Sequence, residues 1–162
     1  MLQVFDNFFD NHNDFMFIVN SCQECAYKYG EKDYEELKFP TGLTSNIDRN
    51  SEVWNLVENQ IQNKIWIVKH KQIHRMYVNC FAPTENPYFH KDGYSGYTLL
   101  FYPTIDWNLD EGGETQFIIN DEIKGVLPIS NRMVAFSADI LHKATSFRSK
   151  HRFTLAVKYN EY

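Results

Sequence analysis

Apolar residues recur with helical spacing in two segments of the first 64 residues. Residues 10–29 form the first segment, and the second helix begins after Ser51, a residue type typical of the N-cap because its hydroxyl accepts a backbone hydrogen bond. The stretch LQVFDNFF, residues 2–9, predicts a short strand, and EKDYEELKFPTGLTSN, residues 31–46, predicts a polar loop. The expected buried faces comprise Phe15, Ile18, Val19, Cys22 and Ala26 in the first helix and Val53, Trp54, Val57 and Ile61 in the second.

From residue 65 onward the helical spacing fades, and apolar runs of strand length alternate with turn-forming residues. Helices followed by a series of short strands predict an α+β chain, mainly β, whose second part is a sandwich or barrel. We expect a single domain over residues 1–162, with helical support in 1–64 and the β core in 65–162. The runs are IWIV, MYVNCF, YTLLFYP, TQFII, MVAFS and FTLAVKY, and the breaks between them are NPY, KDG, DEGG, NDEIKG, PISN and SFRSK.

The last run, RFTLAVKY at residues 152–159, has two different faces. Because side chains alternate along a strand, four apolar residues share one face and a mixed set shares the other. Two interpretations remain open: an edge strand with a solvated polar face, or a strand covered by helices on its apolar side with Arg152 and Thr154 facing a polar cavity. The apolar face comprises Phe153, Leu155, Val157 and Tyr159, and the mixed face comprises Arg152, Thr154, Ala156 and Lys158.

Composition and charge narrow the class of protein. A chain of 162 residues that is 43% hydrophobic, with 7 glycines and 5 prolines, is typical of a globular domain, and its 16% aromatic content favours strands. No apolar stretch approaches the length of a membrane span, and MLQVFDNFFDNHND lacks the pattern of a signal peptide. The net charge of -5 disfavours non-specific nucleic-acid binding.

The three cysteines, Cys22, Cys25 and Cys80, are an odd number without a secretory context. They predict reduced thiols and a cytoplasmic protein. The pair Cys22 and Cys25 has the spacing of half a zinc site, but the chain contains no second pair to complete it.

The stretch NPYFHKDGYSGYTLLFYP, residues 86–103, contains a candidate metal-binding pair. His90 and Asp92 lie two residues apart, so on a strand both side chains point the same way. The alternative is a turn with a local side-chain bond. A metal needs a third ligand, and His142, at the end of the run MVAFSADILH, could supply it from a facing strand. Two histidines and one carboxylate leave three positions open on a non-haem Fe(II) ion, and Arg152 has donor geometry suited to the carboxylate of a cosubstrate.

The order H-x-D, about fifty residues, H, and a basic residue ten further on resembles the 2-oxoglutarate and Fe(II)-dependent dioxygenases. The similarity is to the small prolyl-4-hydroxylase-like branch of bacteria and phages. It extends over about residues 75–159 and includes WNLDEGGETQF at 107–117, NRMVAFSADILH at 131–142 and RFTLAVKY at 152–159. The resemblance implies a double-stranded β-helix, a jelly roll whose outer face is packed by the N-terminal helices.

The resemblance also implies roles for individual residues. His90, Asp92 and His142 match the catalytic iron ligands, and Arg152 matches the residue that binds the C5 carboxylate of 2-oxoglutarate. Tyr102 matches a tyrosine that bonds the same carboxylate, although a plain core position is the alternative.

Two further residues belong to the cosubstrate site by the same resemblance. Asn79 matches an asparagine near the C1 carboxylate of 2-oxoglutarate, with a turn residue as the alternative, and Thr154 shares the face of Arg152. His70 and His74, in HKQIH, are expected to be solvated on a strand or hairpin. Gly112 and Gly113 are expected to shape a tight turn.

The implied reaction is hydroxylation of an unactivated carbon, with Fe(II), 2-oxoglutarate and O2, and with ascorbate as an auxiliary for full activity. A carboxylate at Asp92 favours hydroxylation over halogenation. The first expectation for the substrate is a prolyl or other amino-acid residue in a peptide or protein, bound by the loops 31–50 and 84–89. The alternatives are a nucleobase, a small metabolite, or a non-catalytic jelly roll that only binds a ligand. Lys158 stands where the nucleic-acid dealkylating branch has a second arginine, which disfavours the nucleobase.

Overall fold

The computed structural model describes residues 1–30, 32–33 and 35–159, and within these residues two antiparallel sheets form a jelly roll. The larger sheet has seven strands in the order β1-β8-β5-β10-β4-β3-β2, and the smaller has three in the order β7-β6-β9. The strands are β1 Leu2–Phe5, β2 Lys28–Tyr29, β3 Leu43–Asn46, β4 Arg75–Phe81, β5 Tyr97–Tyr102, β6 Thr115–Ile119, β7 Glu122–Val126, β8 Arg132–Ser137, β9 His142–Ala144 and β10 Arg152–Tyr159, and the α-helices are α1 His12–Gln23 and α2 Glu52–Lys64.

The two helices cover the outer face of the large sheet. The side chains of Phe15, Ile18, Val19 and Cys22 from α1 and of Val53, Trp54, Val57 and Ile61 from α2 are buried there. These side chains confirm the predicted buried faces of both helices. The exception is Ala26, which lies beyond the end of α1 and is exposed. The helix ends at Gln23, earlier than the sequence suggested, and the backbone N–H of its C-cap Glu24 donates the last helical hydrogen bond, to the carbonyl of Asn20.

The N-cap of α2 is Ser51, as its sequence position predicted. The residue has extended backbone geometry, and its side chain accepts a hydrogen bond of 3.1 Å from the backbone N–H of Trp54. This bond satisfies one of the free donors of the first helical turn.

Replacing Ser51 by alanine should lower the free energy of unfolding by about 1 kcal/mol, since the backbone donor of Trp54 loses its partner. Chemical denaturation measures this loss, and Ser51→Asp, which retains an acceptor at the N-cap, is the matched control. Equal stability of the alanine and aspartate variants would show that the capping bond is not important.

A second apolar layer fills the space between the two sheets. Phe117 of β6 packs edge-on against Phe136 of β8, with ring centroids 4.9 Å apart, and Leu100, Tyr102, Val126, Val134 and Ala156 complete this inner cluster. The strand β10 lies in the middle of the large sheet, between β4 and β5, and therefore is not an edge strand. Its apolar face contacts the helical layer while Arg152 and Thr154 are buried on the opposite face, which confirms the second of the two interpretations.

Three segments differ from the sequence expectation. The run IWIV contains a 3-10 helix, Trp66–Val68, because Ile65 and Val68, three residues apart, are both buried while Trp66 is exposed. Part of the expected polar loop 31–46 is strand β3, which pairs with β4. The break NDEIKG contains strand β7, which Asn120 and Asp121 connect to β6 as a two-residue turn with φ values of 54° and 63°.

The first 64 residues supply strands as well as helices to the fold, since β1 pairs with β8 and β3 pairs with β4. Neither described α-helix has the length and apolar character needed to cross a lipid bilayer.

Candidate active site

A short antiparallel bridge brings the candidate ligands together. The backbone N–H of His90 donates to the carbonyl of His142 at 3.0 Å, and the reverse bond has the same length. The N–H of Asp92 donates to the carbonyl of Ala138 at 2.9 Å. The run MVAFSADILH is therefore not one strand ending at His142, as its apolar character suggested. Strand β8 ends at Ser137, the turn that follows anchors Asp92, and His142 begins β9.

His90, Asp92 and His142 each present a ligand atom, and these three atoms lie within 4.8 Å of one another. The Asp92 carboxylate lies 3.9 Å from Nε2 of His90 and 3.4 Å from Nε2 of His142. Nδ1 of each imidazole is in hydrogen-bond range of a backbone carbonyl, Tyr88 at 3.0 Å and Ile140 at 2.9 Å respectively. Such contacts orient the ring and leave Nε2 for a cation, so these residues could hold a divalent metal on one face.

The pKa of His142 favours metal binding. Burial among apolar neighbours, opposed in part by the Asp92 carboxylate, lowers the pKa of His142 to about 4. The imidazole is therefore neutral at physiological pH, which is the form that coordinates a metal.

Two residues outside the H-x-D motif contact the carboxylate of Asp92. Lys158 of β10 forms a salt bridge with Oδ2 of Asp92, and the hydroxyl of Thr98 donates to the same oxygen at 2.6 Å. Burial alone would raise the pKa of Asp92, but the charge of Lys158, the charge that His142 carries only when it is protonated at acidic pH, and the hydrogen bonds from Lys158 and Thr98 bring it well below its usual value. Asp92 is thus an ionised carboxylate in the interior of the protein.

Asp33 is a second carboxylate close to the candidate ligands. Its Oδ1 atom lies 3.6 Å from Nδ1 of His90, and its Oδ2 atom accepts from the backbone N–H of Tyr88 at 2.9 Å. These contacts connect the loop 31–50 to the stretch that contains His90. The sequence position of Asp33, in a polar segment far from the H-x-D motif, gave no sign of them.

Arg152 lies on the inner face of the large sheet, where it is buried. Its Nε donates to the carbonyl of Gly113 and its Nη2 to the hydroxyl of Thr115, both at 2.7 Å. Burial lowers the pKa of Arg152, although a guanidinium keeps its charge in proteins. Among the described residues, no carboxylate forms a salt bridge with Arg152. The charge of Glu114 raises the pKa of Arg152 without a salt bridge between them, and a buried cation that lacks such a bridge is costly, so the site is suited to an anionic ligand.

Two cavities lie beside these groups. The inner one has a volume of about 50 Å³ and contacts both the candidate ligands and Arg152, while the outer one, of about 330 Å³, opens past His90 and Asp92. Asn79 and Lys158 line both cavities, and Thr154 lines the inner one. The structure thus places Asn79, Thr154 and Arg152 around the same cavity as the three candidate ligands.

Tyr102 lies in the core beside Arg152. Its side chain is fully buried in the inner apolar cluster, and its hydroxyl is 2.7 Å from that of Thr115, which in turn accepts from Arg152. Tyr102 does not line the inner cavity, but the guanidinium of Arg152 lies 5.5 Å from the centre of its ring, and the expected bond to 2-oxoglutarate stays a prediction. Thr115 does line the cavity, and its contact with Arg152 could not be read from the motifs because it depends on how the two sheets face each other.

The turn at Gly112 and Gly113 has the backbone geometry that glycine favours, with φ values of 79° and 74°. A Cβ atom on Gly113 would stand 3.0 Å from the Trp107 ring and 3.2 Å from Phe147. The tight turn expected from the sequence is confirmed, and it also presents the Gly113 carbonyl to Arg152.

The other histidines and the cysteines lie outside the ligand cluster. His70 and His74 are exposed, as expected, although His74 lies on the border of the outer cavity. Cys22, Cys25 and Cys80 are free thiols, and burial raises the pKa of Cys80 to about 11, so this thiol is unreactive at neutral pH.

No protein-family model matches the chain, and no curated protein matches its sequence. The fold, however, is similar to those of many solved structures. A prolyl-4-hydroxylase from Pseudomonas putida aligns with a TM-score of 0.77 at 12% identity, over 99% of this chain and 92% of that one. HygX from Streptomyces hygroscopicus, solved with nickel and 2-oxoglutarate bound, aligns with a TM-score of 0.75 at 10% identity, over 98% and 82%.

A prolyl hydroxylase from Trichoplax adhaerens, in complex with a peptide fragment of the hypoxia inducible factor, aligns with a TM-score of 0.72 at 15% identity, over 98% of this chain and 83% of that one. These similarities establish the fold: the chain adopts the double-stranded β-helix of the 2-oxoglutarate and Fe(II)-dependent oxygenases.

Proposed function

We propose that the protein is a 2-oxoglutarate- and Fe(II)-dependent dioxygenase that hydroxylates an unactivated carbon of a prolyl or other amino-acid residue in a peptide or protein. The observation that carries the proposal is one cavity that joins the cluster His90, Asp92 and His142 to the buried Arg152, which forms no salt bridge with a described carboxylate. Either feature alone would be compatible with a purely structural role. Together, the three candidate ligands and Arg152 suit a metal ion and a dicarboxylate that bind next to each other in one cavity.

His90, Asp92 and His142 would hold Fe(II). The set of two imidazoles and one carboxylate suits this ion, and a site with three protein ligands leaves positions for cosubstrate and O2. When bound, Fe(II) would supply the oxidation of an unactivated C–H bond by O2, coupled to the oxidative decarboxylation of 2-oxoglutarate to succinate and CO2, with one oxygen atom going to the substrate and one to succinate. The protein's part is to fix the ligands and to place the substrate at the mouth of the cavity.

Arg152 would bind the C5 carboxylate of 2-oxoglutarate. Its guanidinium is already fixed by Gly113 and Thr115, so little conformational freedom is lost when a carboxylate binds. Thr154 and Asn79 line the space between Arg152 and the candidate ligands, where they would contact the rest of the molecule.

The substrate class rests on the residues near the opening. Tyr88 is 55% exposed and lies two residues before His90, which lines the outer cavity, and Phe39, in the segment expected to border the opening, is 70% exposed. Tyr34, also expected at the mouth, lies outside the described residues. Exposed aromatic groups suit a peptide lying across the opening, and the complex of the Trichoplax prolyl hydroxylase with a peptide is consistent with this use of the fold.

A second candidate substrate is a small acidic molecule. The outer cavity is lined by the basic residues Lys32, Arg75, Lys91 and Lys158, against the acids Asp33 and Asp92. This local excess of cations contrasts with the net charge of -5 for the whole chain. It would attract a carboxylate or phosphate on a substrate.

Succinate formation distinguishes these substrate classes. Proline-containing peptides should stimulate it above the uncoupled rate, and methylated single-stranded DNA should not, since the net charge of -5 opposes a long phosphate backbone even though the outer cavity suits a single anionic group. Both are assayed at equal concentration and low salt, where electrostatic binding of DNA is strongest. Stimulation by the DNA alone would contradict the peptide substrate, and stimulation by neither would favour the small acidic molecule.

A further inference from the structure

Lys158 lines both cavities, but neither the H-x-D motif nor the expected contacts to 2-oxoglutarate account for its contacts. It lies near the end of β10 on the same face as Arg152, and its neighbours in the sheet are Thr98 on β5 and Arg75 on β4. Only 13% of its side chain is exposed. The ammonium group contacts Asp92, the Thr98 hydroxyl at 3.3 Å and the Tyr77 side chain.

The contacts on Asp92 are unequally divided between its two oxygens. Lys158 and Thr98 both engage Oδ2. Nε2 of His142 also lies 3.4 Å from Oδ2, whereas Oδ1 receives no hydrogen bond from any described residue and lies 3.9 Å from Nε2 of His90. A cation bound by the two histidines can therefore use Oδ1 while the ammonium stays on Oδ2.

Two opposite electrostatic effects follow from this arrangement. Without a metal, a buried carboxylate requires a compensating charge, and removing the partner of a buried ion pair is strongly destabilising. Lys158 supplies that charge. When a divalent cation arrives, however, it meets an ammonium on the same carboxylate, and two positive charges at such a distance repel each other.

We propose that Lys158 is a positioning residue, an internal counterion that holds the Asp92 carboxylate in place before the metal binds and thereby weakens metal affinity. The inference rests on the proposed function, because it assumes that Asp92 is a metal ligand. Lys158 would thus keep the metal-free site in its folded geometry. Metal binding would be weaker and more easily reversed than at the same site without this charge.

The test compares Mn(II) binding by the wild-type chain and by Lys158→Met, which keeps the length and removes the charge. Titration calorimetry at pH 8, without 2-oxoglutarate, should show that the variant binds Mn(II) at least about tenfold more tightly, equivalent to ~1.4 kcal/mol. The metal-free variant should melt at a lower temperature than the metal-free wild type. Its Mn(II)-induced rise in melting temperature should be larger, because the metal replaces the missing charge.

Three variants separate charge from other effects. Lys158→Arg keeps a cation and should restore the affinity of the wild type. Thr98→Val removes the other hydrogen bond to Oδ2 without changing charge, and should not tighten binding. Lys158→Gln, which keeps a donor but no charge, should bind Mn(II) as tightly as Lys158→Met and replaces it if that variant does not fold.

Unchanged or weaker Mn(II) binding by both uncharged variants would overturn the inference and leave Lys158 with a purely structural role. Tighter binding by Thr98→Val would also overturn it, because loss of a neutral hydrogen bond would then suffice. Absence of Mn(II) binding by the wild-type chain would instead contradict the proposed function, and the two failures are therefore distinguishable.

Discussion

Replacement of His142 by alanine is expected to abolish both metal binding and turnover. The imidazole is one of three candidate ligands, and two remaining ligands bind a divalent ion weakly and without fixed geometry. The bridge to His90 is formed by backbone atoms, so the fold around the site should survive the substitution. We expect no detectable Fe(II) per chain after dialysis and a fall in succinate formation to the background without protein.

Metal content is measured on purified protein loaded with Fe(II) under anaerobic conditions, and succinate by mass spectrometry. His12→Ala is the matched control, because His12 begins α1 on the surface, far along the chain from the ligand cluster. Full iron occupancy in the His142→Ala variant would show that the assignment of the ligands is wrong.

Replacement of Arg152 by methionine should raise the KM for 2-oxoglutarate about 30-fold or more. Removing one partner of a buried charge pair costs about 2 kcal/mol or more, which corresponds to this factor. Methionine fills much of the space and avoids a large cavity. Metal affinity should change little, since Arg152 contacts Gly113 and Thr115 and none of the three ligands.

Initial rates of succinate formation at varied 2-oxoglutarate give the KM, and Mn(II) calorimetry gives the metal affinity. Arg148→Met removes an exposed arginine four residues earlier and serves as the control. If Arg152→Met left the KM unchanged, the anionic ligand would have to bind elsewhere in the cavity.

The sequence predicted the parts of the site that local pattern encodes. His90 and Asp92 are two residues apart, and the apolar alternation of β10 places Arg152 and Thr154 on one face. The two helices were recognisable because their buried residues repeat with helical spacing.

The partners of these groups could not be predicted, because their contacts depend on the pairing of distant strands. Thr98 and Lys158 reach the same oxygen of Asp92 only because β5 and β10 are neighbours in register. Thr115 meets Arg152 across the two sheets, and Asp33 meets His90 from a loop more than fifty residues earlier. Strand β7 was not predicted for a different reason. The turn residues Asn120 and Asp121 are followed directly by polar residues of the strand, so the whole segment resembles one long turn in the sequence.

The position of β10 has a consequence for the synthesis of the chain. Of the described strands it is the last to be synthesised, yet it lies between β4 and β5, which are made much earlier. Until residues 152–159 emerge, the large sheet consists of two unconnected halves, β1-β8-β5 and β4-β3-β2. Contacts between residues so far apart form slowly, and domains generally fold as units. A nascent chain that already carries His90, Asp92 and His142 therefore lacks the strand that joins the halves, and we expect the metal site to form only in the final step of folding.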